Sequence, residues 1–268
     1  MELRKYQIEL SNKANELLKK YKIAYLSMEV RTGKTLTSLN TAELYGAKKV
    51  LFLTKKKAIS SIESDYNKFG FNFELTVLND ESIHKLNSDF DFVIHDEHHR
   101  FGAFPKPNKS AKIFKEKYSH LPMVFLSGTP FPESYSQVYH QFWISANSPF
   151  KGYTNFYKWA NEFVNVQMRY LGYAEVKDYS QANYDKIKPF INKYLITFTQ
   201  SQAGFETIVN EHILHCDMKP ITYQLCNKLL SDLVVEGKEE VILADTGVKL
   251  QAKLHQLYSG TVKFESGN

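Results

Sequence analysis

The chain has 268 residues, 43% of them hydrophobic and 24% charged, with a net charge of +5 and a pI near 8.9. This length can bury one large core or two small ones, and the composition excludes a disordered or fibrous chain. No run approaches the roughly 18 apolar residues of a membrane span, and Met1-Glu2-Leu3-Arg4-Lys5 lacks the apolar stretch of a secretory signal.

The mild basic excess is compatible with a nucleic-acid partner without establishing one. Arginine occurs only at Arg4, Arg31, Arg100 and Arg169, a lysine bias that suits an AT-rich genome. The two cysteines, Cys216 and Cys226, come with no export signal. A reducing cytoplasm, bacterial or that of a phage-infected host, and free thiols are therefore expected.

In chain order, a helix is predicted from about Arg4 to Lys20. The apolar run Ile23–Leu26 reads as a strand entering Gly33-Lys34-Thr35, and the helix that follows stops near Gly46. Val50–Leu53 is a second strand, and a helix through Ile59 and Ile62 ends near Gly70. Phe73–Leu78, Phe92–His95 and Met123–Leu126 complete a βαβ series. Residues 131–193 are rich in aromatics, among them Phe142, Trp143, Phe150, Phe156, Trp159 and Phe163. They are expected to form helices packed on the sheet, with a base-stacking surface as the alternative. Tyr194–Phe198 and Ile208–Cys216 read as further strands, 219–236 and about 246–258 as helices.

Three of the strands end in a polar cluster, and in an open α/β sheet ligands bind at the carboxyl ends of the strands. After the first strand come Arg31-Thr32-Gly33-Lys34-Thr35. A strand, a tight loop and a helix N-terminus present backbone N–H groups to a phosphate, with Lys34 for the β- and γ-phosphates and Thr35 for Mg²⁺. After the fourth come Asp96-Glu97-His98-His99. Adjacent carboxylates there suit phosphoryl hydrolysis, Asp96 holding the metal and Glu97 the attacking water. After the fifth come Ser127-Gly128-Thr129-Pro130, whose hydroxyls can bond the acids and sense the γ-phosphate. Taken singly, these clusters also read as a solvated turn, an acidic turn with two solvated histidines, and a simple turn. A zinc site from His95, His98 and His99 is disfavoured because neighbouring positions of an extended chain diverge. His212, His215 and Cys216 read as core and edge residues, and Thr246-Gly247-Val248-Lys249 as a helix start.

Asp-Glu-x-His and Ser-Gly-Thr-Pro after a Gly-Lys-Thr loop resemble motifs I, II and III of superfamily 2 helicases, of the DExH kind. The likeness is nearest to Swi/Snf-type translocases, including compact phage versions, and is strong over residues 1–130. It implies a P-loop NTPase of the α/β class, with a RecA-like parallel sheet and flanking helices. Residues 1–145 would form the core of an ATP-binding lobe. Residues 146–268 would complete it with a mainly helical extension leading towards a second RecA-like lobe in cis.

The same resemblance implies Gln7, within Leu3-Arg4-Lys5-Tyr6-Gln7, as an adenine contact beside Arg31, Thr32, Gly33, Lys34 and Thr35. His99, Ser127 and Thr129 would couple ATP to nucleic acid. Thr54 with its helix, and Leu78–His84, resemble the nucleic-acid-facing motifs Ia and Ib. Lys253–Gly260 resembles the segment before the second lobe, which normally supplies an arginine finger, so the chain reads as an isolated first lobe. Two positions depart from the pattern. Met28 stands where the phosphate loop has glycine, and Arg31 where many helicases have it. The resemblance thus implies an ATP-dependent helicase or translocase of duplex DNA, using ATP and Mg²⁺, with no membrane. A phage packaging-type ATPase and a non-hydrolysing nucleic-acid-binding module are the alternatives.

Overall fold

A computed structural model describes residues 2–86, 89–170, 175–205, 212–237, 240–244 and 247–264. The chain divides into two compact units, Met1–Thr207 and Ile208–Asn268.

The first unit is built on a six-stranded sheet of order β3-β2-β4-β5-β1-β8, parallel throughout. Its strands are β1 (Ile23–Met28), β2 (Lys49–Thr54), β3 (Glu74–Asn79), β4 (Phe92–His95), β5 (Met123–Ser127) and β8 (Leu195–Phe198). The central strands are apolar along their whole length because a parallel sheet is covered on both faces. Alternate residues of β1 serve two separate cores. Ile23 and Tyr25 join one; Ala24, Leu26 and Met28 join the other.

On the second of these faces lie α1 (Lys5–Tyr21), α2 (Lys34–Tyr45) and α3 (Ile59–Phe69), over a core of aliphatic residues with Phe52, Phe73 and Phe92. Gly46 and Gly70 cap α2 and α3 in the left-handed conformation that the sequence predicts there. The opposite face carries α4 (Lys109–Tyr118), α5 (Gln137–Trp143), α6 (Phe156–Phe163) and α7 (Tyr184–Ile191). Phe142, Phe150, Phe156, Trp159 and Phe163 are buried there. These aromatics are core, as the packing reading expects, and among the described aromatics of 131–193 Tyr135 and Tyr157 are exposed.

The all-helical reading of 131–193 needs one correction. β6 (Gln167–Tyr170) and β7 (Glu175–Asp178) form an antiparallel hairpin. In the second unit, α8 (Pro220–Asp232) starts with proline in its first turn, where a missing N–H costs nothing. It stops short of the predicted 236, because Leu233 turns left-handed. Val234–Glu236 (β9) then pairs with Val241–Leu243 (β10), before α9 (Gly247–Tyr258). Cys226, Leu229, Val235, Ile242, Ala244 and Leu257 make this unit's own core.

The predicted strand Ile208–Cys216 is not formed over 212–216, which has no regular structure, and 208–211 fall outside the described residues. His212, His215 and Cys216 are exposed there rather than in the core, and both cysteines are free thiols. Among the described residues no helix is long and apolar enough to cross a membrane.

Candidate nucleotide site

The loop between β1 and α2 is held by its own side chains. Glu29 N–H donates to the Phe198 carbonyl at 3.0 Å, continuing the ladder between β1 and β8. Thr32 Oγ1 donates back to the Glu29 carbonyl at 2.6 Å. Gly33 caps α2 at φ 80, and a Cβ there would lie 2.2 Å from Gln7 Nε2. Glycine is favoured there by backbone sign, and a Cβ would have to push the Gln7 amide aside. Arg31 also has a positive φ, 64, without being glycine, a conformation worth about 1–2 kcal/mol of strain for an L-residue. Its side chain is exposed at the loop tip.

Lys34 opens α2, and its Nζ donates to the carbonyls of Met28 (2.9 Å) and Glu29 (3.2 Å). Burial pushes this lysine below its ordinary pKa, while Asp96 and Glu97 pull the other way. Thr35 lies in the same first turn, half-buried. Gln7 is buried beneath the loop with both amide atoms engaged. Its Oε1 accepts from Arg4 N–H at 2.8 Å and its Nε2 donates to the Gly33 carbonyl at 3.3 Å. Tyr6 OH donates to the Thr32 carbonyl at 3.2 Å.

The acidic turn leaves β4 beside β2. Thr54 Oγ1 donates to Asp96 Oδ2 at 2.9 Å, and burial raises the Asp96 carboxyl above its ordinary value despite that bond. Glu97 sits at φ 51, and this left-handed residue turns the chain so that its two oxygens face Lys55 Nζ (3.6 Å) and His99 Nδ1 (3.4 Å). The same His99 nitrogen lies 3.0 Å from Ser127 Oγ, which also accepts from Thr129 N–H at 3.2 Å. Burial pushes His99 below its usual pKa, so near neutral pH the ring is uncharged and Nδ1 serves one partner at a time.

His95 and His98 are fully buried and face each other, Nδ1 to Nδ1, at 2.6 Å. His95 Nε2 lies 3.0 Å from Asp80 Oδ1 and His98 Nε2 lies 2.9 Å from the Gln141 carbonyl. These rings belong to a core network. No group of three or more metal-ligating side chains occurs among the described residues. Arg100 is taken up by Asp80 (2.7 Å) and Glu81 (2.9 Å).

A cleft of about 380 Å³ is lined by Glu29, Val30, Lys34, Glu97, Gly128, Thr129 and Gln200. The structure therefore gathers Lys34, Glu97 and Thr129, from three different strand ends, on one cavity. His99 and Ser127 are tied to its wall through Glu97 and Thr129, and Asp96 precedes Glu97 in the chain and is bonded to Thr54. Arg31, Thr32 and Thr35 belong to the loop and helix turn rather than to the cleft wall, and Gln7 supports them from below.

Three contributors carry no sequence signal: Gln200, Gln141 and Tyr25. Gln200 follows β8 and donates from its Nε2 to the Val30 carbonyl at 2.9 Å and from its backbone N–H to Glu29 Oε2 at 2.7 Å. Gln141 on α5 accepts from Tyr25 OH at 2.7 Å and donates to the Pro130 carbonyl at 2.8 Å. That fully buried side chain joins the first strand to the Ser-Gly-Thr-Pro turn.

A SWI2/SNF2 ATPase core from Sulfolobus solfataricus, solved in complex with dsDNA, matches 96% of this chain and 58% of its own length. The TM-score is 0.59 and the sequence identity 14%. The shared fold is a RecA-like parallel sheet with helices on both faces. Residues 1–74 also match the family described as type III restriction enzyme, res subunit. The ATP-dependent type ISP restriction-modification enzyme LlaBIII bound to DNA matches 47% of this chain and 13% of its own, at TM-score 0.35 and 20% identity. No curated protein matches the sequence. The chain thus spans somewhat over half the length of the archaeal ATPase core it resembles.

Proposed function

We propose that this chain is the ATP-binding lobe of an ATP-dependent helicase or translocase that acts on double-stranded DNA together with a second RecA-like lobe in cis. The observation that carries this reading is the convergence of Lys34, Glu97 and Thr129 on one cleft at the carboxyl ends of β1, β4 and β5.

In this reading the backbone N–H groups of the loop through Gly33 cradle the phosphates. Lys34 gives up its bonds to the Met28 and Glu29 carbonyls to reach the β- and γ-phosphates. Thr35 and Asp96 offer a hydroxyl and a carboxylate, hard oxygen donors that suit Mg²⁺. Mg²⁺ so held would neutralise charge on the β- and γ-oxygens. Glu97 orients and deprotonates the water, and its second oxygen keeps His99 in reach. His99 can exchange Glu97 for Ser127, and Ser127 in turn holds the Thr129 N–H. A change at the γ-phosphate can therefore be passed to the turn after β5. Gln7 fixes Gly33 and offers its amide to adenine, and Arg31 and Thr32 complete the loop around the phosphates.

Lys34→Ala tests the site. Losing a charge-assisted contact worth about 1.5–3 kcal/mol lowers ATP affinity by at least about tenfold. Titration of a fluorescent ATP analogue measures it, and equal affinity in the variant would refute the site. ATP binding that persists without any turnover, even with the second lobe supplied, would favour the non-hydrolysing module.

A further inference from the structure

The loop between β1 and α2 lacks glycine at two positions where the motif it resembles carries it. Met28 replaces one, and Arg31 is held at φ 64 where glycine would rest without strain. A residue in so sparsely populated a conformation persists only where its surroundings over-determine it. On one flank the surroundings are Tyr6 and Gln7, bonded to the carbonyls of Thr32 and Gly33. On the other flank, among the described residues, the side chain bonded to the loop is Gln200.

Gln200 sits two residues beyond β8 and grips the loop twice. Its backbone N–H donates to the Glu29 carboxylate at 2.7 Å, and its amide Nε2 donates to the Val30 carbonyl at 2.9 Å. The second bond acts on the peptide that joins Val30 to the strained Arg31. A trans peptide points its C=O and N–H in opposite directions, so tethering the Val30 carbonyl fixes the direction of the Arg31 N–H. That N–H belongs to the run of backbone donors from which a phosphate cradle is made. The first bond keeps the Glu29 carboxylate, which also lines the cleft, attached to the edge of the sheet rather than free to swing towards an incoming polyphosphate. Like charges close together in a partly desolvated cleft repel strongly.

We infer that Gln200 is a positioning residue of the phosphate loop, holding the Val30–Arg31 peptide and the Glu29 carboxylate in the arrangement that receives the β- and γ-phosphates. The inference rests on the ATP-site reading given above and adds to it a residue outside every motif. Gln200 acts through the loop and needs no contact with nucleotide.

The test compares wild type, Gln200→Ala, Gln200→Glu and Lys34→Ala on the full chain, each titrated with fluorescent ATP, ADP and AMP analogues and each melted. Gln200→Ala removes the bond to Val30. Gln200→Glu places an acceptor against that carbonyl and a charge beside Glu29. Both variants are expected to bind ATP and ADP about 5–10-fold more weakly, with Gln200→Glu the weaker. AMP, which has no β-phosphate for the cradle, should bind as it does to wild type. Melting temperatures should stay within about 2 °C, because the side chain lies at the surface, where substitutions cost little. A merely structural role would move the melting temperature and all three nucleotides together, and that pattern would overturn the assignment. So would ATP affinity within twofold of wild type in both variants while Lys34→Ala is impaired. Failure of the wild type to bind ATP at all would overturn the site reading and this assignment with it.

Discussion

Gln141→Leu tests whether the buried glutamine on α5 joins β1 to the turn after β5. Leucine nearly conserves the volume but leaves Tyr25 OH without its acceptor and the Pro130 carbonyl without its donor. Each orphaned polar group costs about 1–3 kcal/mol when buried. Ser127 lies close enough to interact with the Tyr25 phenol, and Pro130 is only half-buried, so a total of about 2–4 kcal/mol is expected. Trp143 and Trp159 are the only tryptophans and both lie in the first unit, so urea unfolding followed by tryptophan fluorescence reports that unit alone. With an m-value of about 2–3 kcal/mol/M the midpoint falls by roughly 1 M. Tyr25→Phe supplies the second edge of a double-mutant cycle. In wild type it strands Gln141 Oε1 and destabilises; in the Gln141→Leu background it removes the orphaned hydroxyl and recovers about 1 kcal/mol or more. A Gln141→Leu cost below about 1 kcal/mol would refute the reasoning, as would a Tyr25→Phe cost equal in both backgrounds.

Three further outcomes are expected. Arg31→Gly and Arg31→Ala both delete the guanidinium, but only glycine relieves the left-handed strain. After allowing for glycine's freedom in the unfolded chain, Arg31→Gly should be the more stable by about 0.5–1 kcal/mol in the same urea assay. His140 is held down to about 4 by burial and by the nearby Lys115, against the hydrogen bond to the Ala103 carbonyl. Its folded pKa lies below its unfolded value of 6.5, so the unfolded chain binds the extra proton and stability falls as pH drops from about 6.5 towards 4. The full effect is about 3 kcal/mol, and wild type should lose more midpoint over that range than His140→Gln. Finally, Arg100 is committed to Asp80 and Glu81, so residues 1–268 alone should hydrolyse ATP orders of magnitude below a two-lobed motor, whose arginine finger supplies about 10³–10⁵ in rate. A phosphate-release assay with and without duplex DNA measures this, with Glu97→Gln as the null control. Brisk DNA-stimulated turnover would place the finger within the chain.

The parallel sheet was legible because each central strand is a short apolar run closed by a polar cluster, and because Gly46 and Gly70 mark helix ends by a conformation that glycine favours. The convergence of the three clusters followed from one rule about strand ends. What the sequence hid has a common physical cause. The end of α8 is set by Leu233 in a left-handed conformation, while the apolar spacing runs on through Val234 and Val235. The hairpin of β6 and β7 is short, and its Gln167-Met168-Arg169-Tyr170 run differs little from its helical neighbours. Gln141 and Gln200 are single glutamines whose partners lie 116 and 170 residues away, and no local pattern announces such contacts. His98 and His99 also read as solvated in an acidic turn. The turn at Glu97 instead sends His98 into the core, where it meets His95 and the Gln141 carbonyl.

The last strand of the first unit has a mechanical consequence. β8 is an edge strand whose only neighbour in the sheet is β1, and four register pairs join them, from Tyr25–Leu195 to Met28–Phe198. β1 runs directly into the phosphate loop. Tension applied to the chain beyond residue 205 therefore loads β8 first, and the parallel ladder carries that load in shear to the strand that bears Lys34's loop. Gln200 is the outermost link of this connection. On the ATP-site reading proposed above, a pull on β8 would be felt at the loop that carries Lys34.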